Sequence, residues 1–295
     1  MENVEVSIIC NAYNHEKYIR SAIEGFVMQK TNFRFEVLIH DDASTDNTAN
    51  IIKEYEAKYP DIIFPIYQSV NQYSQGIKIT QKFQVSRAKG KYIAVCEGDD
   101  YWIDPYKLQK QYDMMELHPE VDICAHSAIL ESQGEKVGEV CPAKQDCIFN
   151  TEDVINGGGG FVATASLFYR SGLWKVDPPK FREVFAYDYS MQIYGALRGG
   201  MLFLADCMSV YRVATESSWT VSLKKSKEKR KQHVVKVIKM LQQLNVDTNK
   251  KYDDVISRKI IEHEFNLYRW NRKYFTLLSK KYRAVFFSKI LKKFR

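Results

Sequence analysis

Hydrophobic and polar residues follow two alternating periods over the first hundred positions. Short, nearly continuous apolar runs, typical of buried strands, occur at "VEVSIIC", "FEVLIH" and "KYIAVC". Apolar residues at helical spacing occur at "HEKYIRSAIEGFVMQ", "TDNTANIIKEYEAKY" and "IKITQKFQVSRAKG". Asn14 is the expected N-cap of the first helix, and Ser44 or Thr45 that of the second. This order predicts an α/β fold with a mainly parallel sheet and helices on both faces.

Polar residues follow each of three predicted strands. The segments are "NAYN" with Asn11 and Tyr13, "DDAST" with Asp42, and "EGDD" with Asp99 and Asp100. Ligands of open α/β sheets bind beyond the carboxyl ends of the strands, so these segments are expected to meet at one edge. A solvated turn would explain any one of them, but it explains the convergence of all three less well.

Length and composition are those of a folded protein with one substantial core. The chain has 295 residues, of which 45% are hydrophobic and 27% are charged. The start of the sequence lacks the basic and apolar regions of a signal peptide, and no apolar run reaches the ~18 residues of a membrane span, so a cytoplasmic protein is expected. Six scattered cysteines without a Cys-x-x-Cys pair predict buried thiols rather than a zinc site.

The positive charge is concentrated at the C-terminus. Ten of the 43 Lys and Arg residues, and none of the 36 Asp and Glu residues, lie between Arg269 and Arg295. Helical spacing from Ser222 onward divides the chain into an α/β domain (1–220) and a helical basic extension (221–295). Basic amphipathic helices lie on anionic membrane surfaces, which predicts a peripheral protein on the inner face of the membrane. A partner-binding helix is the alternative. Nucleic-acid binding is not expected, because the rest of the chain has no nucleic-acid motif.

The strand-end segments resemble a known family. "VSIICNAYNHEKYIRSAI", "VLIHDDASTDNT" and "AKGKYIAVCEGDDYWIDPYKLQKQ", in this order over roughly the first 120 residues, resemble the inverting family 2 glycosyltransferases. A weaker similarity occurs at "YDYSMQIYGALRGGMLFLADCMSVYR". The resemblance implies a GT-A domain that moves a sugar from a UDP-sugar donor to a carbohydrate acceptor, expected to be a lipid-linked oligosaccharide, in surface polysaccharide or glycan assembly. The alternative is an inert nucleotide-sugar-binding partner of a glycosylation complex.

The carboxylates after the third strand are candidate metal ligands. A nucleoside diphosphate leaves as a strong anion, and a divalent cation lowers the barrier by neutralising its charge. Asp99 and Asp100 would supply the oxygen ligands that suit Mn²⁺ or Mg²⁺. By resemblance, Asp99 is the second acid of the family's Asp-x-Asp motif, and Glu97 replaces the first. This departure leaves the role of Glu97 open. A solvated acidic turn is the competing interpretation.

The resemblance also implies the donor-binding residues. Asp42 would accept the imide N–H of uracil, Tyr13 would stack on the base, and Asn11 would bind near it. Helix capping is the alternative role for Asp42, and core packing is the alternative for Tyr13. Arg212 is a candidate phosphate ligand.

The acceptor hydroxyl needs a base to become an effective nucleophile. By resemblance the base lies at the start of a helix, which indicates Asp188. Glu183 is close enough in sequence to compete, and a carboxylate can also sit at a helix start for purely structural reasons. Trp219 is a candidate for stacking on the acceptor sugar. Many relatives have a metal-binding His directly after the Tyr-Arg pair, where this chain has Val213.

Overall fold

The computed structural model describes residues 3–185, 188–213, 221, 223, 226–271, 274–277, 279–283, 285 and 287. Within these residues the strands form one mixed sheet. They are β1 (Val4–Ala12), β2 (Arg34–Asp41), β3 (Ile63–Tyr67), β4 (Tyr92–Val95), β5 (Tyr101–Trp102), β6 (Ile123–Ser132), β7 (Glu135–Val140), β8 (Cys147–Phe149), β9 (Phe168–Arg170) and β10 (Met201–Arg212).

The α-helices flank this sheet and continue beyond it. They are α1 (Ile19–Val27), α2 (Thr48–Lys58), α3 (Lys107–Leu117), α4 (Thr151–Gly157), α5 (Lys180–Val184), α6 (Asp188–Ala196), α7 (Lys227–Asp247), α8 (Asp253–Trp270) and α9 (Tyr274–Leu277). The predicted helical character of the C-terminal region is confirmed by α7 and α8. No helix among the described residues is both long enough and apolar enough to cross a membrane.

The sheet order is β3-β2-β1-β4-β9-β6-β10-β5, with β7 paired to β6 and β8 paired to β10. Neighbouring strands from β3 to β4 are parallel, and β6 is parallel to β10. Strand β9 runs antiparallel to both β4 and β6 and so joins the two parallel parts. The predicted mainly parallel sheet is therefore confirmed, and the carboxyl ends of β1, β2 and β4 lie side by side.

The predicted helix starts are wrong. Helix α1 begins at Ile19, and Asn14 lies before it with φ 54°. The Oδ1 atom of Asn14 accepts a hydrogen bond from the backbone N–H of Thr45 at 2.8 Å, so Asn14 joins two strand-end loops instead of capping a helix. Helix α2 begins at Thr48 with Asn47 at its N-cap, a few residues later than predicted.

The third helical pattern forms short irregular turns in place of an α-helix. Residues Thr80–Gln84 form a π-helical turn and Val85–Arg87 a 3₁₀ turn. The buried side-chain amide of Gln84 donates hydrogen bonds to the backbone carbonyls of Cys10 at 2.8 Å and Leu38 at 3.0 Å. This segment is thereby attached to the sheet near the carboxyl ends of β1 and β2.

Two apolar clusters lie on opposite faces of the sheet, because successive strand residues point to opposite sides. Residues of α7 and α8, including Leu241 and Ile256, belong to the cluster that also contains Ile93 and Phe203. The C-terminal helices thus complete the core on one face of the sheet. The prediction of buried thiols is confirmed for Cys10, Cys96 and Cys124 and is wrong for the other three: Cys141 and Cys147 are half-buried, and Cys207 is exposed.

Candidate active site

The structure brings the three polar strand ends together. The backbone N–H of Asp42 donates to the carbonyl of Ala12 at 2.9 Å, and that of Gly98 donates to the carbonyl of Asn11 at 3.0 Å. The Asn11 side chain also reaches across, donating from Nδ2 to Oε1 of Glu97 at 3.4 Å. The ends of β1, β2 and β4 therefore form one continuous polar edge.

The segment 97–100 forms an acidic loop whose carboxylates lie close together. Glu97 and Asp99 are half-buried and Asp100 is buried. Burial, together with the negative charges of Asp188 and Asp99, raises the pKa of Glu97 to about 8. Burial and the neighbouring Asp99 likewise hold the pKa of Asp100 well above its usual range. The loop thus concentrates negative charge that a bound cation would stabilise.

Gly98 allows this loop to approach the end of β1 closely. A Cβ atom at this position would lie 2.8 Å from Nδ1 of His15 and 3.2 Å from Cβ of Ala12. Any larger residue would force His15 and Ala12 to shift, so glycine between Glu97 and Asp99 lets the loop keep this approach. The close approach fixes the backbone positions from which the side chains of Glu97 and Asp99 extend.

The donor set of the acidic loop fits a hard divalent cation. The described residues contain no group of three or more His, Cys, Asp or Glu side chains placed to hold a metal on their own. Two aspartates would therefore bind Mn²⁺ or Mg²⁺ with help from phosphate oxygens and water, as Mg²⁺ sites commonly do. Burial and the repulsion between neighbouring carboxylates raise the pKa values of Glu97 and Asp100, and a bound cation would offset both effects.

Asp188, the first residue of α6, lies near Glu97 of the acidic loop. After desolvation, its negative charge makes the largest contribution to the raised pKa of Glu97. Asp188 is exposed, yet the protein around its carboxylate desolvates it and raises its pKa. Its Oδ2 atom accepts a hydrogen bond from the hydroxyl of Thr164 at 2.7 Å. The competing candidate, Glu183, is exposed on the short helix α5.

Asp42 is buried and holds the loop that follows β3. Its Oδ1 accepts from the backbone N–H of Gln72 at 2.8 Å, and its Oδ2 accepts from that of Tyr73 at 3.0 Å. Each carboxylate oxygen can accept a second hydrogen bond, so these two bonds are compatible with a contact to the uracil imide N–H. That contact stays a prediction. Tyr13, near the end of β1, has 40% of its surface exposed and presents an aromatic ring at the same edge.

Arg212, at the end of β10, contacts the acidic loop directly. Its Nη1 donates to the backbone carbonyl of Asp99 at 2.9 Å, and its Nε donates to Oε1 of Glu131 at 3.0 Å. The guanidinium also lies over the ring of Tyr101, 4.3 Å from its centroid. These contacts give Arg212 a role in positioning the loop, and phosphate binding stays a prediction. Trp219 lies outside the described residues.

Sequence reasoning missed the polar neighbours of the acidic groups. Thr80 accepts a hydrogen bond from Nδ2 of Asn11 at 3.1 Å, and Thr164 donates to Asp188. Thr80 is 69 residues from its partner and Thr164 is 24 residues from its own, and neither belongs to a strand-end motif. Only the tertiary structure reveals these pairs.

Comparison with known proteins agrees with this geometry. Residues 7–140 match the family model described as glycosyl transferase family 2. The matched residues belong to that family. A protein of Mycobacterium tuberculosis, named only as an uncharacterized protein, is 37% identical over 215 residues, which are 72% of this chain and 60% of the relative. The chain therefore spans about 60% of the length of that relative. The putative teichuronic acid biosynthesis glycosyltransferase TuaG of Bacillus subtilis is 34% identical over 110 residues, covering 37% of this chain and 41% of TuaG.

Solved structures show that the fold is of the GT-A type. The crystal structure of residues 1–349 of S. aureus TarS, in complex with UDP-GlcNAc, superposes with a TM-score of 0.66 at 17% identity and covers 89% of this chain and 73% of that one. The mannosyltransferase PcManGT of Pyrobaculum calidifontis, in complex with GDP-Man and Mn²⁺, gives a TM-score of 0.54 at 13% identity, covering 96% of this chain and 83% of that one. At these identities the likeness concerns the fold alone.

Proposed function

We propose that this protein is an inverting glycosyltransferase that moves a sugar from a UDP-sugar to a carbohydrate acceptor. The observation that carries the proposal is that Asp188 lies close enough to Glu97 of the acidic loop for its charge to raise the pKa of Glu97. A base and a cation-binding loop at one site are what the attack of an acceptor hydroxyl and the departure of a diphosphate require. The name of the matching family, glycosyl transferase family 2, supports the same class of reaction.

Asp99 and Asp100 would hold the Mn²⁺ or Mg²⁺, which would neutralise the charge of the departing diphosphate. The hydrogen bond from the backbone N–H of Arg212 keeps one oxygen of Asp100 fixed at 2.8 Å. Asp99, less buried than Asp100, is the side chain better placed to meet a ligand that arrives from solvent. Asp188 would remove the proton of the acceptor hydroxyl, which attacks the sugar from the face opposite the diphosphate.

The donor is a UDP-sugar, with Asp42, Tyr13 and Asn11 at the base. TarS, which shares the fold, binds UDP-GlcNAc, whereas PcManGT binds GDP-Man, so the fold alone does not choose the nucleotide. A buried carboxylate such as Asp42 accepts the uracil imide N–H, and the exposed Tyr13 ring offers a stacking face.

The acceptor is a carbohydrate, expected on a lipid carrier during surface polysaccharide assembly. The name of TuaG, a putative teichuronic acid biosynthesis glycosyltransferase, supports this class of pathway. The basic C-terminal extension would place the protein on the anionic inner surface of the membrane, with its site accessible to a lipid-linked substrate.

A thermal-unfolding screen tests the donor. Purified protein with Mn²⁺ is heated in the presence of UDP-sugars and, in parallel, GDP-sugars. A ligand that binds only the folded state at 100 times its Kd stabilises it by about 2.7 kcal/mol, so a true donor raises Tm in a concentration-dependent manner. Stabilisation by GDP-sugars alone would refute the choice of uridine, and the absence of any stabilisation would refute donor binding.

A further inference from the structure

The residue that faces the proposed base comes from a different part of the chain. Thr164 belongs to a single 3₁₀ turn, Thr164–Ser166, that lies just before β9. Its hydroxyl donates to Oδ2 of Asp188 at 2.7 Å. Thr164 is half-buried, while Asp188 is exposed. The hydrogen bond therefore joins an exposed carboxylate to a partly buried donor.

The turn that carries Thr164 is held by buried side chains. Trp102 donates from Nε1 to the carbonyl of Ala165 at 2.9 Å, and Gln111 donates from Nε2 to the carbonyl of Ser166 at 2.9 Å. Both side chains are at most 2% exposed. Hydrogen bonds that are shielded from water are strong and keep their geometry. The backbone of the turn is therefore fixed, and with it the position from which the Thr164 side chain extends.

These anchors also connect the base to the acidic loop. Trp102 follows Asp100 by two residues and forms part of β5, which pairs with β10. Gln111 lies on α3, the helix that follows this strand, four residues after its first residue, Lys107, and accepts a hydrogen bond from the buried ammonium of Lys107 at 2.7 Å. The segment that leaves the acidic loop therefore supports the turn that contacts Asp188.

We propose that Thr164 is a positioning residue for the proposed base: its hydroxyl fixes one carboxylate oxygen of Asp188, so that the other oxygen faces the acceptor hydroxyl. A donor on Oδ2 restricts rotation of the carboxylate and stabilises its ionised form, which is the form that accepts a proton. The inference rests on the proposed function, because it assigns Thr164 to the same reaction.

Other charged and titratable groups also act on Asp188. Desolvation by the surrounding protein raises the pKa of Asp188, whereas the hydrogen bond from Thr164 and the charge of Arg182 on α5 lower it. The charge of Asp188 in turn raises the pKa of Glu97 and the pKa of the buried phenol of Tyr169 on β9. Loss of the Thr164 hydroxyl would leave burial and Arg182 in place, and the pKa of Asp188 would rise further.

The test uses Thr164→Val, which keeps the shape and removes the donor, and Thr164→Ser, which restores the donor. For the valine variant we expect the acidic limb of the kcat/KM profile to move up by about one pH unit, as the loss of a hydrogen bond to a charged group implies. The rate loss should therefore be largest at low pH and shrink toward the alkaline plateau, with the UDP Kd unchanged. The serine variant should return the limb to its original position. Thr31→Val, which removes a hydroxyl that donates to the carbonyl of Phe33 away from the site, is the matched control and should leave the profile unchanged.

A second readout separates this proposal from the proposed function. Carbon-13 NMR of the Asp side-chain carboxyls follows the titration of Asp188 without turnover. A higher pKa of Asp188 in Thr164→Val than in the wild type supports the role of Thr164, whether or not the protein turns over a donor. If this shift is seen but no donor is turned over, only the proposed function is refuted. An active enzyme whose valine variant keeps both the pH profile and the Asp188 titration of the wild type would overturn the proposal for Thr164.

Discussion

The backbone N–H of Arg212 donates a hydrogen bond to Oδ1 of Asp100 at 2.8 Å. The end of the long strand β10 is thereby fastened to the acidic loop, 112 residues earlier in the sequence. The guanidinium of the same residue binds the carbonyl of Asp99 and the carboxylate of Glu131. One arginine thus determines where both aspartates of the proposed metal site are held.

Arg212→Lys should weaken metal binding because lysine keeps the charge but lacks the rigid fork of donors. Loss of one charge-assisted hydrogen bond implies that about tenfold more Mn²⁺ is needed for half-maximal activity. UDP affinity measured in EDTA should stay near that of the wild type. A large loss of UDP affinity in EDTA would instead indicate that Arg212 binds a phosphate directly.

Asp188→Asn should abolish transfer while the protein still binds UDP and metal. The amide cannot take a proton, and Asp188 contacts the acceptor side of the proposed site. Isothermal titration with UDP and Mn²⁺, together with a transfer assay, measures the two properties separately. Glu183→Gln is the matched variant and should remain active, because Glu183 is exposed on α5. The reverse pattern would make Glu183 the base.

The buried Lys107 should make stability depend on pH. Burial lowers the pKa of its ammonium to about 7, from a usual value near 10.5. Between these values the unfolded chain binds more protons than the folded protein, so the free energy of unfolding rises with pH across this window. Below pH 7 the buried ammonium is charged and its full desolvation cost is present.

Lys107→Met measures this contribution, because it keeps a side chain of similar length without the charge. Denaturant unfolding of both proteins is compared at pH 7.0 and pH 8.5; both proteins contain the buried thiols of Cys96 and Cys124, whose raised pKa values therefore affect the two proteins alike. The stability difference between methionine and wild type should shrink as the pH rises. A difference that stays constant over this interval would mean that Lys107 is protonated in the folded state throughout it.

The basic tail, the segment from Arg269 to Arg295, should bind anionic membranes. Tyr282 packs with Phe265 and its hydroxyl donates to Glu264 at 2.9 Å, while Lys281 forms an ion pair with Glu264 at 2.7 Å. Val285 packs against the same cluster, so a truncation after Val285 keeps this packing and removes four cations, namely Lys289, Lys292, Lys293 and Arg295. Each cation near an anionic surface contributes about 1 kcal/mol.

Co-sedimentation with phosphatidylserine vesicles across a salt series measures this attraction. Binding of the intact protein should fall as salt rises, because added ions screen the charges, and the truncated protein should sediment less at low salt. A variant with four exposed lysines changed to Gln elsewhere (Lys53, Lys58, Lys144 and Lys175) is the charge-matched control and should sediment like the wild type. Equal sedimentation of intact and truncated proteins would refute the membrane role of the tail.

The sequence was sufficient for the fold and for the strand-end residues, because these depend on local patterns. Continuous apolar runs identified β1, β2 and β4, and the rule that parallel strands end at one edge was enough to bring Asn11, Asp42 and Asp99 together. The failures concern groups whose partners are distant in sequence. Asn14 was expected to cap a helix, yet its partner Thr45 lies in another loop. Thr164 was not identified at all, because its contact with Asp188 depends on the packing of β9 against β4 and β6.

The central claim is that Asp99 and Asp188 serve one metal-dependent transfer from a UDP-sugar. The most direct measurement is the release of UDP by purified protein from a panel of UDP-sugars with Mn²⁺, for the wild type and for Asp99→Asn, with Asp61→Asn at an exposed turn as the control. The account predicts release by the wild type and by the control, loss of release in EDTA, and a rate lower by roughly a hundredfold or more in Asp99→Asn, as expected when a transition-state stabiliser is removed. Thermal stabilisation by a UDP-sugar without any release would indicate an inert nucleotide-sugar-binding protein, and near-normal release by Asp99→Asn would contradict the metal assignment.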